Sequence, residues 1–201
     1  MNREVIGTGI KKIASGYLFL YIAFHLGSVD ILPDWAAYLL MLKGIGMIGE
    51  WKESALLLKP LGRILISWEV IEWIGSFLGI TIELEVITNF ICIMDLYFHF
   101  QMLTEISEIG KETGPGYWKK ICRLRTVKTL LSTTMVVVTI LPMPSIVWNG
   151  NDIIWDGILP ALAIISLIFC FWICYTLRNL AMELICESDV TVEKVESSSD
   201  I

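Results

Sequence analysis

Six apolar runs of roughly membrane-spanning length follow one another along this chain, and short islands between them hold nearly all of its charge. A helix needs about 20 predominantly apolar residues to cross ~30 Å of hydrocarbon. The runs cover about residues 13–29, 35–49, 61–80, 86–103, 129–148 and 157–177. Hydrophobic residues make up 55% of the 201 residues and charged ones 18%, against about 25% charged in an ordinary soluble chain. The runs consume most of residues 1–186 and leave no room for a soluble domain of ordinary size. The expected fold is therefore all-α: a polytopic membrane helix bundle of six transmembrane helices in one domain. Residues 187–201, acidic and ending Ser197-Ser198-Ser199-Asp200-Ile201, read as a disordered tail.

Charge orients the bundle, because lysine and arginine are retained on the cytoplasmic side of short loops. With the N-terminus inside, the inner segments collect Arg3, Lys11, Lys12, Lys52, Lys59, Arg63, Arg178 and Lys194. They also hold the long-loop residues Lys111, Lys119, Lys120, Arg123 and Arg125, followed by Lys128. The three outer turns then carry Asp30, Asp34, Glu83, Glu85, Asp152 and Asp156 and no basic residue. One miscounted helix would reverse every later loop, so the partition supports six spans with both termini cytoplasmic. Trp35, Trp148 and Trp155 fall at the outer boundary and Trp51 and Trp118 at the inner one, as an aromatic belt requires.

Several function classes drop out. A net charge of −6 lacks the basic surface that nucleic-acid binding needs. The five cysteines, Cys92, Cys122, Cys170, Cys174 and Cys186, lie in apolar runs or cytoplasmic segments and are expected as free thiols. The first apolar run exceeds signal-peptide length and meets no small-residue cleavage site, so it reads as a retained helix. Gly44-Ile45-Gly46-Met47-Ile48-Gly49 matches a dinucleotide fingerprint in letters only. That fingerprint works at a strand-to-helix turn, whereas glycines inside an apolar span, like Gly75 and Gly79, let helices approach closely. Around Gly114-Pro115-Gly116, short interfacial helices are expected on either side of a turn, and Pro142 and Pro144 should bend or end the fifth helix. No cofactor motif and no nucleophile–base constellation stands out, which argues against an enzyme.

Ionisable residues inside the runs carry the chemistry on view. A charge at the bilayer centre costs a few kcal/mol and needs a partner, water or a function. His25, Lys43, Glu69, Glu72, Asp95 and His99 form the expected polar intramembrane cluster. Glu69 and Glu72 are three apart and Asp95 and His99 four apart, so each pair shares a helix face. The set suits a proton relay or a cation site, and Glu69, Glu72, Asp95 and His99 are also a candidate metal set. The alternative is purely structural: Lys43 neutralises one glutamate, Asp95 bonds His99, and the other glutamate is protonated.

The turn between the first two runs reads Gly27-Ser28-Val29-Asp30-Ile31-Leu32-Pro33-Asp34-Trp35-Ala36-Ala37-Tyr38. Asp30 and Asp34 lie one turn apart, and Asp34 is placed to cap the second helix. Asp152-Ile153-Ile154-Trp155-Asp156 echoes Asp30 to Asp34 at the third outer turn, which either repeated hairpins or coincidence would produce. The stretch over about Gly27 to Gly44 resembles that of a family of small integral membrane proteins of Firmicutes-type bacteria, with Ala37 where that family often has glycine. The resemblance implies a bacterial cell membrane and no particular activity.

Two functions follow as expectations: transport or permeation of a small solute, ion or proton by an oligomer embedded in the lipid bilayer, or a non-catalytic accessory role using the basic cytoplasmic loop. The topology is testable directly. A reporter active only in the cytoplasm should work when fused after Lys120 or Ser188 and be silent after Gly150; activity at Gly150 would contradict six spans.

Overall fold

A computed structural model describes residues 3–21, 25–26, 29–30, 33–80, 84–113, 115–140, 147–148, 151–152 and 157–199. The described chain is essentially all-helical: six long helices and one single-turn helix, with two pairs of two-residue strands. The helices are α1 (Arg3–Tyr21), α2 (Asp34–Ile48), α3 (Glu53–Leu56), α4 (Leu58–Leu78), α5 (Glu85–Thr113), α6 (Pro115–Ile140) and α7 (Leu159–Ser199). Chain neighbours among the long helices pack side by side, and α7 returns to pack on α1, so α1–α2–α4–α5–α6–α7 close into a ring.

Helix ends follow local chemistry. Pro33, extended at φ −69° and ψ 140°, precedes α2 because proline suits a helix start and not its interior. Asp34, expected as the cap, is instead the first residue of α2, and α2 has no side-chain cap; its carboxylate suits the positive end of the helix dipole. Gly79, at φ +68°, ends α4 while the Ile80 amide donates to the Gly75 carbonyl at 2.8 Å, a left-handed closure that glycine adopts without a steric cost. Two residues before Pro142, α6 stops, as proline's effect on the preceding backbone requires.

Four boundaries differ from the sequence reading. The first helix begins ten residues early and ends at Tyr21, and His25–Leu26 (β1) pairs antiparallel with Val29–Asp30 (β2) where helix was expected. Apolarity alone does not distinguish helix from strand, and Gly27-Ser28 between the pair is turn-forming. Val147–Trp148 (β3), expected at the end of the fifth helix, pairs with Asn151–Asp152 (β4) around Asn149-Gly150, a dipeptide that favours hairpins. The separate interfacial helices of the long loop do not form: α5 runs unbroken to Thr113 and α6 starts at Pro115. Finally, α7 continues through the acidic tail to Ser199, since no glycine or proline interrupts it after Pro160. The sequence echo is matched in the backbone, where Asp30 and Asp152 each end the second strand of a hairpin of equal register.

The core runs along α1, which is buried against α2 on one side and α7 on the other. A Cβ on Gly9 would meet the Gly44 carbonyl at 2.9 Å, one on Gly16 the Ala37 carbonyl at 2.8 Å, and one on Gly7 the Ala181 carbonyl at 2.8 Å. These glycines bring backbones together, the role expected of Gly44. Cys174 and Cys170 tie α7 to α1 by donating to the carbonyls of Ala14 at 3.2 Å and Tyr17 at 3.4 Å. Outside, α4 to α7 present Phe77, Val86, Phe90, Leu130, Ile164 and Tyr175 to the surroundings. Two stretches, Glu85–Thr113 and Pro160–Ser188, are long and apolar enough to cross a membrane.

The contact between α1 and α2 makes a specific demand on glycine. Gly44→Ala should lower unfolding stability in detergent by about 1–3 kcal/mol through overpacking. Gly46→Ala, whose nearest neighbour is Lys59 at 3.6 Å, should be neutral or stabilising. Equal thermal shifts for the two would contradict the close approach.

Candidate functional site

Asp95 and His99 lie one turn apart on α5, at the level where Tyr17 near the end of α1 and Tyr38 in the second turn of α2 reach the interior. The Tyr38 hydroxyl donates to Asp95 Oδ1 at 2.5 Å. His99 Nδ1 and the Tyr17 hydroxyl share a hydrogen bond of 3.0 Å between buried groups. His99 Nε2 lies 3.1 Å from Asp95 Oδ1, but it has no hydrogen-bond partner: the separation attracts once the imidazole is protonated, while the angle is wrong for a bond. Phe98 and Tyr38 pack around the imidazole with ring centroids 5.6 and 6.2 Å away.

Lys128 on α6 completes the site. Its ammonium sits 5.8 Å from the Tyr17 ring and 5.7 Å from the Tyr21 ring, cation–π geometry around a half-buried lysine. It also donates to the Tyr21 hydroxyl at 3.4 Å. Asp95, His99, Lys128, Thr129 and Ser132 border a cavity of about 10 Å³, and Tyr21, Lys128, Ser132, Ser166 and Cys170 border another of about 10 Å³. Each has room for about one water. Lys128 and Ser132 stand between the two.

The expected cluster is only partly assembled. Asp95 and His99 come together. Glu69 is half-buried on α4, within electrostatic reach of Asp34 and Asp95. Glu72 and Lys43 are exposed on α4 and α2. Lys43 lies near the level of Gly62, because a Cβ on Gly62 would meet the side chain of its neighbour Leu42. Glu72 is next to Trp73, which stacks edge-on with Trp35 at the start of α2. At 1.5 Å per residue, ten residues of α4 separate the two charges by about 15 Å along the helix axis, so Lys43 does not neutralise Glu72. His25 and Asp30 pair through their backbones in β1 and β2, and their side chains lie outside the described residues. Among the described residues no three of His, Cys, Asp and Glu converge as a metal site, so Glu69, Glu72, Asp95 and His99 are not gathered around one point.

Sequence reasoning missed Tyr17, Tyr38 and Lys128. The two tyrosines are neutral and vanish into apolar runs. Lys128 reads as part of the basic loop, although it directly precedes Thr129 and the polar face continuing to Ser132. Arg125 also turns inward, donating to Thr104 Oγ1 at 2.9 Å and lying 4.8 Å from the Phe100 ring. Lys111, Lys119, Lys120 and Arg123 remain exposed around the α5–α6 turn. At the same end, Lys52 bridges Glu108 and Glu105, the latter at 2.9 Å, and Ser54 donates to Glu105 at 2.8 Å. Burial opposes the Lys52 charge, but hydrogen bonds to Glu108 and Glu105 outweigh it and hold its pKa above the ordinary value. This contribution to stability is present below the unfolded lysine pKa and is lost as pH rises through the raised one.

No family model, curated protein or solved structure matches this chain.

The inward position of Lys128 sets its substitution apart from that of Lys43. Lys128→Met should lower thermal stability by about 1–3 kcal/mol, through loss of the charge beside Asp95 and of the tyrosine contacts. Lys43→Met should change stability by less than about 0.5 kcal/mol. The reverse order in a thermal unfolding assay would contradict this assignment of the counter-ion.

Proposed function

We propose that this chain is a six-span integral membrane protein, with both termini cytoplasmic, that passes a small ion or solute through the polar site between α1, α2, α5 and α6 and catalyses no covalent step. One observation carries the reading: Asp95, His99 and Lys128 are set with three tyrosine hydroxyls, those of Tyr38, Tyr17 and Tyr21, inside a helix ring whose outer face is apolar. Charged groups at such depth are costly and are characteristic of ion and proton pathways. Asp95 remains one-third exposed, with its side chain at 34%, which gives the buried His99 a route outward along the α5–α6 cleft. The two helices of membrane-crossing length, the apolar surfaces of α4 and α6, and the charge asymmetry between loops support the membrane setting. The resemblance over Gly27 to Gly44 supports a bacterial cell membrane. Assembly as a homo-oligomer would suit a chain with so few helices.

The exposed cations Lys111, Lys119, Lys120 and Arg123 favour a second reading, an accessory protein that docks other membrane components at its cytoplasmic end. Function separates the two. In proteoliposomes containing the full chain, a transport role gives an ion-gradient-dependent flux that Asp95→Asn lowers tenfold or more (about 1.4 kcal/mol in the barrier) while the melting temperature is retained. Wild-type vesicles no leakier than protein-free ones would leave the accessory reading.

A further inference from the structure

The two water-sized cavities and the charges around them bear on which ion this site takes. His99 is 2% exposed and its Nε2 lacks a hydrogen-bond partner, so a buried polar atom is left with an unmet demand at the edge of a polar cavity. The facing groups come from every neighbouring helix. Tyr17 and Tyr21 face the site from α1, Tyr38 from α2 and Lys128 from α6. Asp95 lies on α5 itself. Glu69 on α4 stands farther off, within electrostatic reach of Asp95, and Cys170 on α7 borders the second cavity.

A dehydrated metal cation is a poor occupant here for three reasons. It needs several oxygen ligands at once, whereas the first cavity offers a single carboxylate, Asp95, with the hydroxyls of Thr129 and Ser132. The space corresponds to one water. Lys128 already places a positive charge on the cavity that Asp95 borders, and at an effective dielectric of about 20 a second cation 6 Å from it would meet roughly 3 kcal/mol of repulsion. A proton escapes all three objections: it needs no cavity, no ligand shell and only one free lone pair.

We infer that the ion this site takes is the proton, bound at His99 Nε2 by way of a water in the cavity beside Asp95, Lys128 and Ser132. This rests on the permeation reading above and narrows it. On binding, the cavity water gives a proton to Nε2, forming an imidazolium beside the Asp95 carboxylate; the hydroxide left is neutralised by the next proton arriving along the cleft past Ser132. Release is the reverse, so the cycle balances with no bond other than N–H and O–H changed. Lys128 adds its charge to the two other obstacles that metal cations meet.

The test uses full-chain proteoliposomes with a pH-sensitive dye inside and a potassium-diffusion potential set by valinomycin. The expected result is potential-driven internal acidification that persists when external sodium is replaced by choline. It should fall tenfold or more in His99→Gln and be unchanged in Lys43→Met. Because removing a buried ring can unfold the chain, Lys128→Met serves as an independent arm. It should leave radioactive sodium uptake at the level of protein-free vesicles, since the missing ligands and the small cavity still exclude the metal; a tenfold rise in that uptake would overturn the proton assignment. Sodium uptake by the wild type without acidification would overturn the proton assignment and leave the permeation reading standing. Neither flux, from protein of unchanged melting temperature, would overturn both.

Discussion

Backbone contact between α1 and its two neighbours is the constraint from which the rest of the structure follows. Gly9 and Gly16 admit α2, and Gly7 admits α7, to distances that any side chain would block. With small residues at the crossings, α1 sinks into the ring instead of lying on its rim, and Tyr17 is carried to the interior where His99 meets it. In an apolar setting helices gain little from apolar contact, so association depends on close packing and on polar groups that find each other. Both devices occur along α1: glycine contacts from Gly7 to Gly16 and, directly after the last of them, the tyrosine–imidazole bond.

Much of this architecture is legible in the sequence because apolar length and charge placement are large signals. The six long helices lie within or across the six apolar runs, and the polar pair Asp95 and His99 is recognisable from its spacing alone. Boundaries were less accessible where the signal is apolar in either conformation. His25-Leu26 and Val147-Trp148 belong to runs that hydropathy cannot assign to helix or strand, and the turn formers Gly27-Ser28 and Asn149-Gly150 were the better guide. The continuation of α7 past Glu187 was hidden for the opposite reason, since an acidic serine-rich segment reads as tail although it contains no helix breaker.

The site was half legible for a reason rooted in chemistry. Spacing within one helix can be counted, so the shared face of Asp95 and His99, 3.1 Å apart, is legible. Partners from other helices depend on crossing points set by packing, and only depth in the apolar run connects Lys43 with a glutamate. The contacts of Leu42 with α4 put Lys43 well below Glu72, while Lys128, grouped with a cytoplasmic loop, turns in toward Tyr17 and Tyr21. The resulting site carries charges of both signs, is flanked by aromatic rings and borders a cavity between α5 and α6. On the permeation reading proposed above, such a site takes a small mobile charge rather than a bulky substrate.

The central claim is that His99 is held between Tyr17 and Asp95 inside the bundle. With only two histidines in the chain, nitrogen-15 spectra of the imidazoles in lipid vesicles test it most directly. The account predicts one histidine whose Nδ1 resonance moves in Tyr17→Phe and whose Nε2 resonance moves in Asp95→Asn, with the other histidine unaffected by either. Two imidazoles that titrate like free histidine and ignore both substitutions would contradict it.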